Sequence, residues 1–244
     1  MTRGRAHGLV RAVGVVIPAH NEAALLERCL SGMTLAVEDL LLADEHLAVV
    51  VVVVLDSCTD GSLAIAQRFG FENLIVDHGA VGAARRAGVE VVSARLAGFD
   101  SRSVWLANTD ADSCVPAHWL REQVRLADHG TDLIVGTVRP DPTDLTAEQF
   151  AQWSRSHPPG EANAHVHGAN LGVRLSCAVD NGGFPAIPEH EDARLVERLR
   201  AAGVPEIATD DIWVLTSGRF IGRSPAGYAH HLAETLAGDR AAAH

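Results

Sequence analysis

Asp110 and Asp112 stand one residue apart in LANTDADSCV, residues 106–115, directly after the apolar run Ser103-Val104-Trp105-Leu106-Ala107. Two carboxylates so placed at the end of a buried strand suit the holding of a hard divalent cation. Mg2+ typically takes one or two carboxylates together with phosphate oxygens. The residues after two other apolar runs are equally polar. Pro18-Ala19-His20-Asn21-Glu22 follows one, and Asp56-Ser57-Cys58-Thr59-Asp60 follows the other. The first of these loops has no GxGxxG and opens with a proline, which lacks an N–H, so it cannot cradle a pyrophosphate as a glycine-rich turn does. An acidic cleft that accepts a nucleotide in this way needs positive charge from elsewhere, and a cation on Asp112, with Asp110 beside it, provides it.

The elements that must position these residues are legible in outline. Val13 to Ile17 and Leu47 to Leu55, the latter with six consecutive valines, are apolar runs without polar alternation, as expected of parallel strands covered on both faces. Between them Leu25, Leu26, Cys29, Leu30 and Met33 recur at helical spacing after Asn21-Glu22, which predicts a βαβ unit with a right-handed crossover. Further helices are predicted near 61–69, 80–97, 116–128, 189–202 and 225–237, with strands near 74–76, 103–108, 132–138 and 212–215. The stretch 140–168, rich in Pro, His, Glu and Gly, breaks this alternation and reads as a segment inserted over the sheet. In open α/β sheets ligands sit at the carboxyl ends of the strands, where all three polar loops fall.

Pro18 to Glu22, Asp56 to Asp60, Gly82-Ala83-Ala84-Arg85, Asp110-Ala111-Asp112, and Gly182-Gly183-Phe184 followed by Glu191-Asp192 resemble, in order and over about residues 13 to 200, the family 2 glycosyltransferases of GT-A fold. The chain looks like a small soluble bacterial-type member. The resemblance implies a single GT-A domain over residues 1–244, an α/β fold with a mostly parallel, Rossmann-like sheet. Its nucleotide-binding half would span about 13–112 and its acceptor half about 113–237.

The same resemblance implies that Pro18, Ala19, Asn21 and Glu22 line a nucleoside pocket, that Asp56 accepts from the base imide, and that Arg85 braces the base. It makes Asp110-Ala111-Asp112 a DxD motif, with Asp110 near the ribose and Asp112 on Mn2+ or Mg2+. The implied activity is hexosyl transfer from a nucleoside diphosphate sugar, UDP-sugar foremost, to a hydroxyl of a small soluble acceptor, with inversion. Such chemistry needs a carboxylate to take the proton of the acceptor hydroxyl. The resemblance places that base in the Glu191-Asp192 pair, as Asp192, and makes Gly168, Asn170 and Glu191 candidates for acceptor contacts. His190 stands where an aromatic residue is often found. The Thr216-Ser217-Gly218-Arg219 turn resembles a late segment of small members, with Arg219 within reach of phosphate.

Plainer roles compete at each position. The two aspartates suit an Asx turn, Asp56 and Asp60 a turn and a helix cap, and Asn21 and Glu22 a helix start. Glu191 and Asp192 suit a helix first turn, and Arg85 an exposed helix face beside Arg86. Among the thirteen histidines, His165, His167, His230 and His231 are possible additional metal ligands, without an HExxH or comparable spacing to support them.

Composition narrows the classes. A formal charge of -11, from 31 acidic and 20 basic residues, argues against a nucleic-acid binder. Four dispersed cysteines without CxxC spacing predict reduced thiols and a cytoplasmic protein. The apolar runs fall well below the roughly 20 residues that span a bilayer, so no integral membrane segment is expected. Two rival functions remain: a nucleotidyltransferase, which would usually carry a basic, Gly-rich first loop, and a non-catalytic sugar-nucleotide-binding protein, which would not need Asp192.

Overall fold

The structure is a computed structural model, and it describes residues 8–162, 165–220, 222 and 228–237. Strand β1 (Ala12–Ala19) leads into helix α1 (Leu26–Ala43), and β2 (Ala48–Asp56) pairs with β1 in parallel, giving the predicted βαβ unit. There follow α2 (Ser62–Ala66), β3 (Glu72–Val76), α3 (Val81–Arg95), β4 (Val104–Asn108), α4 (Trp119–Asp128) and β5 (Leu133–Pro140). The second half adds α5 (Ala147–Ser156), β6 (Leu171–Arg174), α6 (Leu175–Asp180), α7 (Glu191–Ala201), β7 (Glu206–Thr216) and α8 (Tyr228–Ala237).

The strands form one seven-stranded sheet in the order β3-β2-β1-β4-β6-β5-β7. Among the described residues, only β6 runs against its neighbours in the sheet, antiparallel to both β4 and β5. The valine runs explain the layering. Successive side chains of a strand point to opposite faces. Val13, Val15, Ile17, Val51, Val53 and Leu55 therefore pack with Leu26, Leu30 and Met33 of α1 and Trp119 of α4. Val16, Val52 and Val54 join Ala84 and Val92 of α3 and Leu195, Val196 and Leu199 of α7 on the other face. The result is a single α/β domain with a mostly parallel sheet flanked by helices, as expected.

Four elements depart from the expectation, the short helix α6 (Leu175–Asp180) being one that has no counterpart among the predicted helices. β6 was not anticipated: four residues, LGVR, are too few to show a period. β7 is 11 residues long where 212–215 was predicted, because Thr209, Asp210 and Asp211 interrupt its apolar pattern. Within the stretch 140–168, α5 starts at a capping box in which Thr146 and Gln149 each bond the other's backbone N–H. Trp153 of α5 packs on Leu232 and Leu236 of α8, so this stretch carries its own small apolar cluster. Among the described residues no helix is long and apolar enough to cross a membrane.

Candidate functional site

Strand register fixes what meets at the carboxyl edge of the sheet. Ala19 lies opposite Leu55 and Val16 opposite Asn108, so the loops after β1, β2 and β4 emerge side by side. Because β6 runs the other way, its start lies at this same edge, with Leu171 opposite Asn108. That reversal carries His167, Gly168 and Asn170 up to the aspartates of the β4 loop. The first turn of α7 closes the far side. Between these loops lies a cleft of about 730 Å³, whose wall includes Pro18, Ala19, Glu22, Asp56, Arg85, Asp110, Asp112, Gly168, Glu191 and Asp192.

At one end, Asp56 is held in place by backbone. Its Oδ1 accepts from the amides of His78 (2.7 Å) and Gly79 (3.0 Å) and from the Ser57 hydroxyl, while Oδ2 accepts from the Ala80 amide at 3.2 Å. Burial alone would raise its pKa, but these donors outweigh it and hold the carboxyl below its usual range. Oδ2, with a single partner, keeps a lone pair for a donor in the cleft. Gly79 and Ala80 also line this end, a contribution missed in sequence. Extending the strand-end rule to the loop after β3 would have found them.

Asn21, expected in the nucleoside wall, is not part of it. It adopts a left-handed backbone (φ 53°), and its Oδ1 accepts from the amides of Thr59 (2.8 Å) and Asp60 (3.2 Å). It therefore pins the loop after β2. Glu22 does line the cleft, engaged by a fork of two bonds from Arg219 at 2.7 and 3.0 Å.

The centre of the cleft is strongly acidic. Glu22, Asp110, Asp112, Glu191 and Asp192 face two guanidiniums, those of Arg85 and Arg219. Burial first, and then the charge of Asp110, push Asp112 up to about 6, against the pull of Arg219. Asp110 is also raised, by burial, against the pull of Arg85. A site with excess negative charge and hard oxygen donors fits a divalent cation such as Mn2+ or Mg2+, held by Asp112 and Asp110. No cluster of three or more His, Cys, Asp or Glu side chains is arranged as a closed metal cage among the described residues. His165 and His167 lie in the wall, and the His167 ring meets Tyr228 edge-on at 5.5 Å between centroids. The side chains of His230 and His231 lie outside the described residues.

Arg85 departs from the plainer of its two sequence readings. It is no exposed helix residue, being 1% exposed, and it meets the cleft from below with Nη1 left without a hydrogen-bond partner among the described residues. Its Nε donates to Glu191 at 2.8 Å and its Nη2 to Asp110. Gly168 lies so close that a Cβ there would fall 2.3 Å from Arg85 Nη2. Glu191, 4% exposed, touches the cleft, but its Oε1 is taken by Arg85, and burial raises its pKa despite that partner.

At the start of α7, Asp192 Oδ2 accepts from the Gly168 amide at 2.6 Å and Oδ1 from the Ala193 amide at 2.7 Å. The carboxylate is thereby fixed at the start of α7, facing the aspartates across the cleft. Asn170, expected among the acceptor contacts, is not in the cleft wall. Its Nδ2 donates to the carbonyls of Thr137 and Ile212, both at 2.8 Å, and its Oδ1 accepts from Trp119 Nε1 at 2.8 Å. It is 1% exposed and fastens β5, β7 and α4 together beneath the cleft.

A sequence model of glycosyl transferase family 2 matches residues 14–178, more than half of the chain. The chain belongs to this family. No match is found among curated proteins. Several solved structures share the fold of this glycosyltransferase at low identity. S. aureus TarS, residues 1–349, aligns with a TM-score of 0.58 and 13% identity, over 93% of this chain and 69% of that one. A mannosyltransferase from Pyrobaculum calidifontis in complex with GDP-Man and Mn2+ gives 0.56 and 20%, over 95% and 74%. Glucosyl-3-phosphoglycerate synthase of M. tuberculosis with phosphoglyceric acid gives 0.51 and 13%, over 93% and 76%. Against a longer TarS structure, this chain spans 35% of the length.

Proposed function

We propose that the chain transfers a sugar, with inversion, from a nucleoside diphosphate sugar to a hydroxyl of a small soluble acceptor in the cytoplasm. The observation that carries this reading is the placing of Asp56, the Asp110/Asp112 pair and Asp192 along one cleft. A nucleoside, its diphosphate and an acceptor hydroxyl would each find one of these groups in the shared cleft. The donor half runs to Asp112, and the acceptor half follows.

Pro18, Ala19 and Asp56 take the nucleoside, with the open lone pair of Asp56 Oδ2 accepting from the base. Asp112, supported by Asp110, would hold Mn2+ or Mg2+, which when bound would supply Lewis-acid stabilisation of the charge on the departing diphosphate. Asp192 is the general base. It takes the proton of the acceptor hydroxyl as that oxygen bonds to the anomeric carbon, and the bond from that carbon to the diphosphate breaks with its electron pair leaving on the nucleoside diphosphate. The Gly168 and Ala193 amides hold the Asp192 carboxylate in place for this step. Glu191, fixed by Arg85, shapes the acceptor end.

Release of nucleoside diphosphate from a panel of UDP- and GDP-sugars, with and without Mn2+, tests this reading. UDP-sugars come first on family resemblance, and the GDP-Man held by the Pyrobaculum relative puts GDP-sugars in the panel. Metal-dependent release, rising with an added acceptor, is the expected result. Turnover of nucleoside triphosphates with none of sugar nucleotides would instead favour a nucleotidyltransferase. Binding without release would leave a sugar-nucleotide-binding protein.

A further inference from the structure

The turn after β7 sends a cation into the acidic centre of the cleft, and the surrounding structure fixes where it enters. Arg219 Nη2 reaches Glu22 Oε1 at 2.7 Å and Asp112 Oδ2 at 2.9 Å, and Nη1 reaches Glu22 Oε2 at 3.0 Å. One guanidinium thus bridges a carboxylate of the β1 loop and the second aspartate of the β4 loop. Its side chain keeps 27% of its surface, so it lies at the cleft wall and not in the core.

The backbone under it is anchored. Asp144 Oδ2 accepts from the Gly218 amide at 2.8 Å and from the Ser217 hydroxyl at 3.3 Å. A Cβ at Gly218 would fall 2.9 Å from Asp144 Cβ and 3.0 Å from the Asp141 carbonyl oxygen, so only glycine lets the turn sit this deep. The end of β7 is also tied to the aspartate loop itself. Cys114 and Leu215 exchange backbone bonds at 2.7 and 3.1 Å, and Ser113 Oγ donates to Thr216 Oγ1 at 2.8 Å. The backbones that carry Arg219 and Asp112 are therefore tied directly to each other.

We infer that Arg219 is a built-in counter-cation for the metal site: it neutralises Asp112 and Glu22 while no metal is bound, competes with the metal for Asp112, and turns to the donor diphosphate once the metal takes its place. This rests on the proposed metal and donor sites and adds a residue that sets how tightly they bind. A fixed positive charge against a prospective ligand carboxylate lowers the affinity for a free cation. The same charge attracts a diphosphate, so the metal alone binds weakly and metal with nucleotide binds well. Bidentate guanidinium geometry suits carboxylate and phosphate alike, which makes the exchange of partners chemically simple.

The test uses the full chain and three variants, Arg219→Gln, Arg219→Met and Arg219→Lys, each checked for folding by circular dichroism. Mn2+ alone is titrated by calorimetry or by loss of the free-ion EPR signal, and UDP is then titrated at saturating Mn2+. Arg219→Gln is expected to bind Mn2+ alone on the order of tenfold more tightly, since it removes a unit charge beside the ligand carboxylate. UDP at saturating Mn2+ is expected to bind several-fold more weakly. A residue that merely shaped the turn would weaken both. Mn2+ affinity in Arg219→Gln equal to or below that of the unaltered protein overturns the inference. Arg219→Lys keeps the charge but loses the fork, so its Mn2+ affinity is expected to stay near that of the unaltered protein, and a roughly tenfold tightening in it would overturn the inference. Should Arg219→Gln not fold, Arg219→Met, which also removes the charge, decides: tighter Mn2+ binding supports the inference, and unaltered affinity overturns it. Sugar-nucleotide turnover by the unaltered protein is scored separately. Its absence beside a clear Mn2+ shift removes the transferase reading alone, and its presence without that shift removes the Arg219 inference alone.

Discussion

Arg85 Nε lies 2.8 Å from Glu191 Oε1, joining the first turns of α3 and α7, while the same guanidinium donates to Asp110. One buried cation thus ties the β4 loop to the helix that begins with the proposed base. Removing one partner of a buried ion pair leaves the other without compensation and costs about 3–5 kcal/mol. Arg85→Met is expected to lose that much stability in urea unfolding at pH 7.5. The loss should shrink as pH falls. Burial already raises Glu191, and without Arg85 its protonated form becomes the one the fold prefers. A deficit that does not vary between pH 5 and 8 would mean that Glu191 is solvated and the pair is of little consequence.

Asp192→Asn keeps the shape of the side chain and one oxygen acceptor for the Gly168 or Ala193 amide, but cannot take a proton. Transfer is expected to slow by about 100- to 10,000-fold, the usual contribution of a positioned base. UDP binding in the presence of Mn2+, measured by calorimetry, should stay unchanged. Near-normal transfer by this variant removes the base assignment.

The parts of this molecule that sequence made plain are those where one physical demand dominates. A strand covered on both faces needs unbroken apolar residues, so β1, β2 and β4 were legible, and the polar loops after them followed from the direction of a parallel sheet. Long-range pairing was not legible. Nothing in the order of residues says that Arg85 of α3 meets Glu191, or that Arg219 reaches back to Glu22, because those contacts exist only once the sheet and the helix starts are assembled. Asn170 illustrates the same limit. The family resemblance of its loop, His167-Gly168-Ala169-Asn170, makes it a candidate for acceptor contact. Its actual partners lie on β5, β7 and α4, and β6, the short strand that places it, has no period to read.

Asn170→Ala strands three buried groups: Trp119 Nε1 and the carbonyls of Thr137 and Ile212. Each costs about 1–3 kcal/mol when left unmatched. The variant should therefore unfold several degrees lower in a thermal melt, while its KM for acceptor, measured well below that melt, should not change. A raised KM at unaltered stability would return Asn170 to the acceptor wall.

The pH dependence of metal binding follows from Asp112, whose pKa burial and the Asp110 charge push up to about 6. A protonated carboxyl is a poor ligand, so Mn2+ affinity should rise as pH climbs through about 6 and level off above it. The sign for stability is the reverse of the common carboxylate case. The folded value lies above the unfolded one, so this group favours the folded state below the unfolded pKa and loses that contribution as pH rises through about 6. Above that pH the metal-free cleft holds a destabilising charge that a bound cation neutralises. Adding Mn2+ should accordingly raise the melting temperature more at pH 7.5 than at pH 5, and Asp112→Asn should abolish that difference together with transfer. Equal Mn2+ stabilisation of the unaltered protein at both pH values would show that the ion binds elsewhere, and metal-stimulated transfer by Asp112→Asn would separate the metal from this aspartate altogether.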